Sequence, residues 1–174
     1  MELEGKRVRL LPISHHRTDS ANIVRWRNQT YVRNRFIDRR LLTLQSHEQW
    51  LKTMVDSGRA VQFMIYIKAE NKPIGSVYLK NIDHDNEKAE YGIFIGEEAY
   101  LHQGFGQETA KIILAYAFEE LHLHKIYLRV FAWNQPAVCC YKRAGFQEEA
   151  CLQDEVKIEN QYHNIILMSA FSSI

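Results

Sequence analysis

The 174-residue chain reads as an α/β (α+β) fold, a mixed and mostly antiparallel sheet of about seven strands flanked by about four helices. Three observations carry that expectation. The middle of the chain holds three consecutive strand-like runs separated by turn-forming stretches. A long segment after them switches to the three-and-four spacing of an amphipathic helix. Alternation then returns, is interrupted by a second helix with its own start and stop signals, and resumes at the tail.

Taken in order, Lys6 to Pro12 alternates Arg7, Val8, Arg9 and Leu10 and ends at a proline, which predicts a first strand. Asn22 to Asn28 carries Ile23 and Trp26 along one edge and predicts a short helix. Ser46-His47-Glu48-Gln49 has the form of a capping box with Ser46 as N-cap, opening a helix through Trp50, Leu51 and Met54 that Gly58 closes. Val61 to Lys68 and Ile74 to Asn81 predict a hairpin across Ala69 to Pro73. Lys88 to Ile95 adds a third antiparallel strand after Asp83-His84-Asp85-Asn86. Between Gly104 and Leu121, residues Phe105, Ala110, Ile113, Leu114, Ala117 and Leu121 share one helical face. Lys125 to Phe131 alternates again. Asn134 as N-cap, Pro136 in the first turn and Ala144-Gly145 as the stop bound the last helix. Phe146 to Lys157 and Tyr162 to Ser169 are two strands around a turn near Glu159-Asn160.

The length suits one well-buried core and cramps a second, so a single domain over 1–174 is expected. A composition of 46% hydrophobic and 25% charged residues excludes disordered and fibrous classes. The net charge of +1 lacks the concentrated basic surface that counterion release requires, and nucleic acid is therefore not an expected partner. Adjacent Cys139 and Cys140, with Cys151, suit reduced thiols rather than a bridge. The eight histidines show no ligand spacing, and no metal is expected. No apolar run reaches signal-peptide length or the ~20 residues of a membrane span, so the expectation is a soluble, cytoplasmic protein with no membrane partner.

Gln103-Gly104-Phe105-Gly106-Gln107 lies between a strand and the long helix. Successive N–H groups at a helix start, with the macrodipole behind them, attract anions, and glycines let a pyrophosphate approach the main chain. Gly92 sits inside the preceding strand, where glycine marks a bulge or a ligand pressed against the backbone, and Glu90 shares its face. Asn134 to Phe146 supplies a third element, with Tyr141 about two turns into its helix.

These elements, in this order from about Val61 to Met168, resemble the GNAT superfamily of N-acetyltransferases. Its pattern is an acidic fourth strand, a Gln/Arg-x-x-Gly-x-Gly/Ala loop opening a long helix, and an Asn-x-x-Ala...Tyr-x-x-x-Gly-Phe segment. Leu101 stands where the pattern has Gln or Arg, and His102 follows where glycine is frequent. The resemblance implies fourth and fifth strands that splay apart and acetyl-CoA as co-substrate. Its pyrophosphate is expected on Gln103, Gly104, Phe105, Gly106 and Gln107, its pantetheine arm along Ile93, Phe94 and Ile95, with Asn134 and Ala137 beside the arm and Tyr141 at the thioester sulfur. A protonated amine cannot attack a carbonyl, so a base must take its proton, and Glu90 is the candidate. The Ile95 N–H is a candidate donor to the oxyanion, and Tyr141 the candidate acid; no covalent intermediate is required.

Trp26-Arg27-Asn28, Val32-Arg33 and His47-Glu48-x-Trp50 resemble the corresponding segments of GNAT enzymes that acetylate nucleotide-linked amino sugars, including the pseudaminic-acid pathway N-acetyltransferase. This implies Trp26, Arg27 and Asn28 as substrate-binding residues, with arginine meeting phosphate and tryptophan stacking on a ring. Ala89-Glu90-Tyr91-Gly92, Tyr116-Ala117-Phe118 and Lys125-Ile126-Tyr127 also look like spermidine and ribosomal-protein N-terminal acetyltransferases. Because Arg25, Arg27, Arg33, Arg35, Arg39 and Arg40 crowd the first third, a small anionic amino-sugar nucleotide ranks ahead of a polyamine or an N-terminal amine as acceptor. A non-catalytic acyl-CoA-binding sensor domain is the alternative from another class; Glu90 together with Tyr141 speaks against it. A homodimer is compatible with the family.

Overall fold

The computed structural model of the chain describes residues 1–173. Eight strands form one sheet: β1 (Leu3–Glu4), β2 (Val8–Pro12), β3 (Ala60–Ile67), β4 (Lys72–Asp83), β5 (Lys88–Ile95), β6 (Lys125–Phe131), β7 (Gln147–Ile158) and β8 (Gln161–Phe171). Their order is β1-β2-β3-β4-β5-β6-β8-β7. The eighth strand, beyond the expected seven, is the two-residue β1, which pairs Leu3 with Leu10 and Glu4 with Arg9; two residues are too few to show a period. The helices are α1 (Arg17–Asn28), α2 (Thr30–Arg33), α3 (Leu44–Trp50), α4 (Phe105–Glu119) and α5 (Gln135–Ala144).

Every strand pair is antiparallel except β5 with β6, whose parallel join needs a crossover and receives it from α4. That join is short. Only Lys88, Ala89 and Glu90 pair, with Lys125, Ile126 and Tyr127, and the two strands then diverge as the family resemblance implied. β3 is buried along most of its length, with side chains feeding both faces. On one face Phe63 and Ile65 join Ala110, Ile113, Leu114 and Val138 of α4 and α5. On the other, Met64 and Phe94 meet Ile23, Trp26 and Val32 of α1 and α2. Helices α4 and α5 and the N-terminal helices α1 and α2 therefore lie on opposite sides of the sheet, and the β5–β6 split connects the two sides.

Three local expectations are corrected. α3 is capped by Thr43 rather than Ser46: the Ser46 N–H donates to Thr43 Oγ1 at 3.1 Å, and the Thr43 N–H donates to Ser46 Oγ at 2.9 Å. The reciprocal box exists, one turn earlier, with serine as its third residue. A π turn over Leu51–Val55 then carries the chain to Gly58, whose φ of 74° ends it. α1 begins at Arg17, well before Asn22. Asn134 occupies the N-cap position of α5 but its side chain makes no cap bond.

Candidate active site

The start of α4 is built mainly from backbone. Gly104 is the N-cap at φ 83°, a left-handed conformation that glycine adopts without steric cost, and the amides of Phe105, Gly106 and Gln107 have no acceptor within the helix. Arg7 fixes this loop from outside: its guanidinium lies 4.5 Å above the Phe105 ring and donates to the Gln103 carbonyl at 2.9 Å. Glu108 in turn accepts from the Arg7 N–H at 2.6 Å, Arg7 Nε at 2.9 Å and the Val8 N–H at 3.2 Å. The side chain of Gln103 donates back to the Ala99 carbonyl, and this residue does not line the cavity described below. Gly106 abuts α5, where a Cβ would stand 3.7 Å from Cys140 Sγ.

From these amides a cavity of about 920 Å³ runs through the β5–β6 split to the N-terminal helices. Ile93, Phe94 and Ile95 line it on one side, and Leu128 and Val130 on the other. The Gly96 N–H donates to the Ile74 carbonyl of β4 at 2.7 Å, so strand alternation turns the Ile95 N–H the opposite way, toward β6, beyond the last β5–β6 pair. Asn134, Ala137 and Tyr141 line the cavity from α5. Tyr141 packs edge-on against Tyr91 at 5.9 Å, and burial raises the pKa of its phenol, keeping it protonated. Tyr91, which as a strand aromatic of the Ala89-Glu90-Tyr91-Gly92 run reads as sheet packing, also lines the cavity, with its hydroxyl buried and unpartnered.

At the other end stand Glu90 and Tyr78. Glu90 Oε1 lies 3.2 Å from Lys80 Nζ, and Oε2 accepts from Asn81 Nδ2 at 3.2 Å, leaving each oxygen a further lone pair. Gly92 is explained by a side chain: Tyr78, directly opposite, lays its ring where a Cβ on Gly92 would come within 2.3 Å of Cζ. Burial pushes the Tyr78 phenol up to about 12. A bulky aromatic opposite a strand glycine was the sequence signal for this residue, visible only once the register is known.

Of the three residues expected to bind substrate, Arg27 alone reaches the cavity. Its guanidinium stacks 3.5 Å from the Phe36 ring centre, Nη2 donates to the Asp38 carbonyl at 3.4 Å, and Nη1 is buried without a partner. The Asp38 carboxylate is occupied by Arg40, whose hydrogen bonds hold it at about 2. Trp26 is 0% exposed and gives its indole N–H to Glu97 at 2.8 Å, leaving nothing for a ligand to stack on. Asn28 is a loop staple, bonding both the carbonyl and the N–H of Leu42 at 2.8 Å. His47 also lines the cavity. It is 3% exposed, Nδ1 lies 3.0 Å from Ser20 Oγ, Nε2 has no partner, and burial lowers the imidazole to about 4.

Residues 7–147 match the family model described as the acetyltransferase (GNAT) domain. The chain belongs to the GNAT acetyltransferase family. It is 35% identical to the spermidine N(1)-acetyltransferase of Escherichia coli K12 over 105 residues, 60% of this chain and 56% of that protein. The chain thus spans little more than half the length of that relative. It is 25% identical to the acetyltransferase PseH of Campylobacter jejuni over 124 residues, 71% of this chain and 74% of that one. The crystal structure of spermidine N-acetyltransferase from Vibrio cholerae in complex with CoA and spermine superimposes with a TM-score of 0.85 at 27% identity, covering 94% of this GNAT chain and 96% of the other. Among the described residues, no helix is long and apolar enough to cross a membrane.

Proposed function

We propose that this protein transfers an acetyl group from acetyl-CoA to a primary amine by direct attack. The observation that carries the proposal is the continuous cavity joining the first-turn amides of α4, the unpaired edge of β5, Tyr141 and Glu90. The residues present fit the coenzyme: helix-start amides for a diphosphate, a free strand edge for an amide-bearing arm, and Asn134 and Ala137 flanking it. When bound, acetyl-CoA supplies an activated thioester. Glu90 accepts the proton of the incoming ammonium, directly or through water, on the lone pairs that Lys80 and Asn81 leave free. The Ile95 N–H meets the negative charge that builds on the thioester oxygen. Tyr141, held protonated by burial, donates to the departing sulfur.

Two acceptors have support. The names of the E. coli and V. cholerae relatives support a polyamine, and they do so better than they support a nucleotide-linked amino sugar. The lining of the acceptor end supports an amine bearing an anionic group. Its two carboxylates, Glu90 and Asp38, are already ion-paired with Lys80 and Arg40, whereas Arg27 keeps a buried N–H unspent. Release of free CoA in the presence of spermidine, spermine, a peptide amine and a nucleotide amino sugar tests both the class and the acceptor. Turnover with at least one amine is expected. Coenzyme binding without turnover on any of them would leave the sensor reading standing instead.

A further inference from the structure

Where β5 ends, two residues grip the N-terminal helices. The Ile74 carbonyl accepts from both the Gly96 N–H at 2.7 Å and the Glu97 N–H at 3.1 Å, fixing the turn that leaves the strand. The Gly96 carbonyl accepts from the Tyr31 hydroxyl of α2. Glu97 Oε1 accepts from the Trp26 indole N–H at 2.8 Å and from Arg25, both on α1. Gly96 has no room for a side chain, because a Cβ would lie 2.0 Å from Trp26 Cγ. Burial raises the Glu97 carboxyl, but the hydrogen bonds from Arg25 and Trp26 outweigh it and hold the group below its ordinary range. A charged acceptor therefore sits against a wholly buried donor.

From this geometry we infer that Glu97 is a positioning residue: by fixing the rotation of α1 at Trp26 it aims Arg27 into the acceptor end of the cavity, next to the strand that lines the thioester end. Neighbours on a helix point about 100° apart, so an azimuth set at Trp26 is also set at Arg27. Tyr31 ties α2 to the same turn, and Phe94, against which Trp26 packs edge-on at 6.4 Å, is itself a cavity wall. The clamp thus joins the two substrates' walls, while Glu97 itself does not line the cavity. The inference deepens the acetyl-transfer reading and rests on it for its kinetic consequence.

Glu97→Ala and Glu97→Gln are compared with the unaltered chain. Acetyl-CoA affinity, measured by calorimetry, is expected to be unchanged in both. With the amine selected by CoA release, Glu97→Ala should raise the acceptor KM about tenfold, the size of one lost charge-assisted hydrogen bond, and leave kcat within about threefold. Glu97→Gln keeps a carbonyl for the indole N–H and should recover most of the loss. Amide exchange gives a readout that needs no acceptor: α1 and α2 should exchange about tenfold faster in Glu97→Ala while α4 and β6 keep their rates. Should Glu97→Ala fail to fold, Trp26→Phe removes the donor but keeps a ring and should give the same KM rise. Equal losses for coenzyme and acceptor, a uniform rise in exchange, or no change in any measurement overturns the inference. Absence of turnover with every amine sinks the transferase reading instead, while the exchange contrast still judges the clamp.

Discussion

The two ends of the cavity are made of different material. The coenzyme end consists of helix-start amides, a strand edge and the small residues Gly104, Gly106 and Ala137, so its chemistry comes from main-chain placement. The acceptor end consists of Arg27, Phe36, His47, Trp50, Tyr78 and Glu90, gathered from α1, a loop, α3 and two strands. Main-chain sites recognise what every member of a family shares, because any residue supplies an amide. Side-chain sites change their ligand with one substitution, so specificity belongs to the second end.

That contrast can be broken in three ways. The largest effect is expected where the ends meet. Tyr141→Phe removes the proton donor while keeping the ring against Tyr91, and the acyl-transfer rate constant should fall about a thousandfold with acetyl-CoA affinity unchanged. A pre-steady-state measurement that found the rate intact would remove Tyr141 from the chemistry. Next in size is the pH response of the acceptor end. Burial lowers the His47 imidazole to about 4 in the folded protein, against 6.5 when free. Its contribution is complete above 6.5 and lost as pH falls toward 4, because the unfolded chain takes up a proton that the native chain excludes. The total is about 3 kcal/mol. Urea midpoints between pH 7 and pH 4.5 should drop steeply in the native protein and less in His47→Gln. The smallest effect has the most informative sign. Arg27→Met should raise the KM of an anionic amine about tenfold, whereas for a polyamine it removes a like charge and should lower KM.

The coenzyme end was legible in the sequence because backbone sites leave compositional traces. Gly104 is needed for a positive φ and the Asn134 to Phe146 segment has fixed spacing, so each can be recognised without knowing the fold. Gly92 was legible as unusual, but its cause was not. The ring that excludes a Cβ belongs to Tyr78, which is brought opposite only by strand register. At the acceptor end, Trp26, Arg27 and Asn28 are consecutive, and helical geometry sends them three ways: into the core, into the cavity and onto a loop. A linear motif cannot separate these fates. The capping box was displaced for a related reason, since Thr43 and Ser46 both fit the cap role and Glu or Gln is not obligatory as the third residue. Arg27 was named together with Trp26 and Asn28, from the resemblance of that tripeptide to a family segment. Its missing partner could be seen only after Asp38 was assigned to Arg40.

The three residue pairs between β5 and β6 have a mechanical meaning. Among the described residues they are the only strand pairs joining a five-stranded plate to a three-stranded one, supplemented by the Glu87 carbonyl, which accepts from the His124 and Lys125 N–H groups at 2.6 and 3.0 Å. A ligand seated between the plates braces a joint that the polypeptide leaves mostly open. Resistance to heat should therefore climb with coenzyme concentration, following the logarithm of one plus the ratio of that concentration to the dissociation constant.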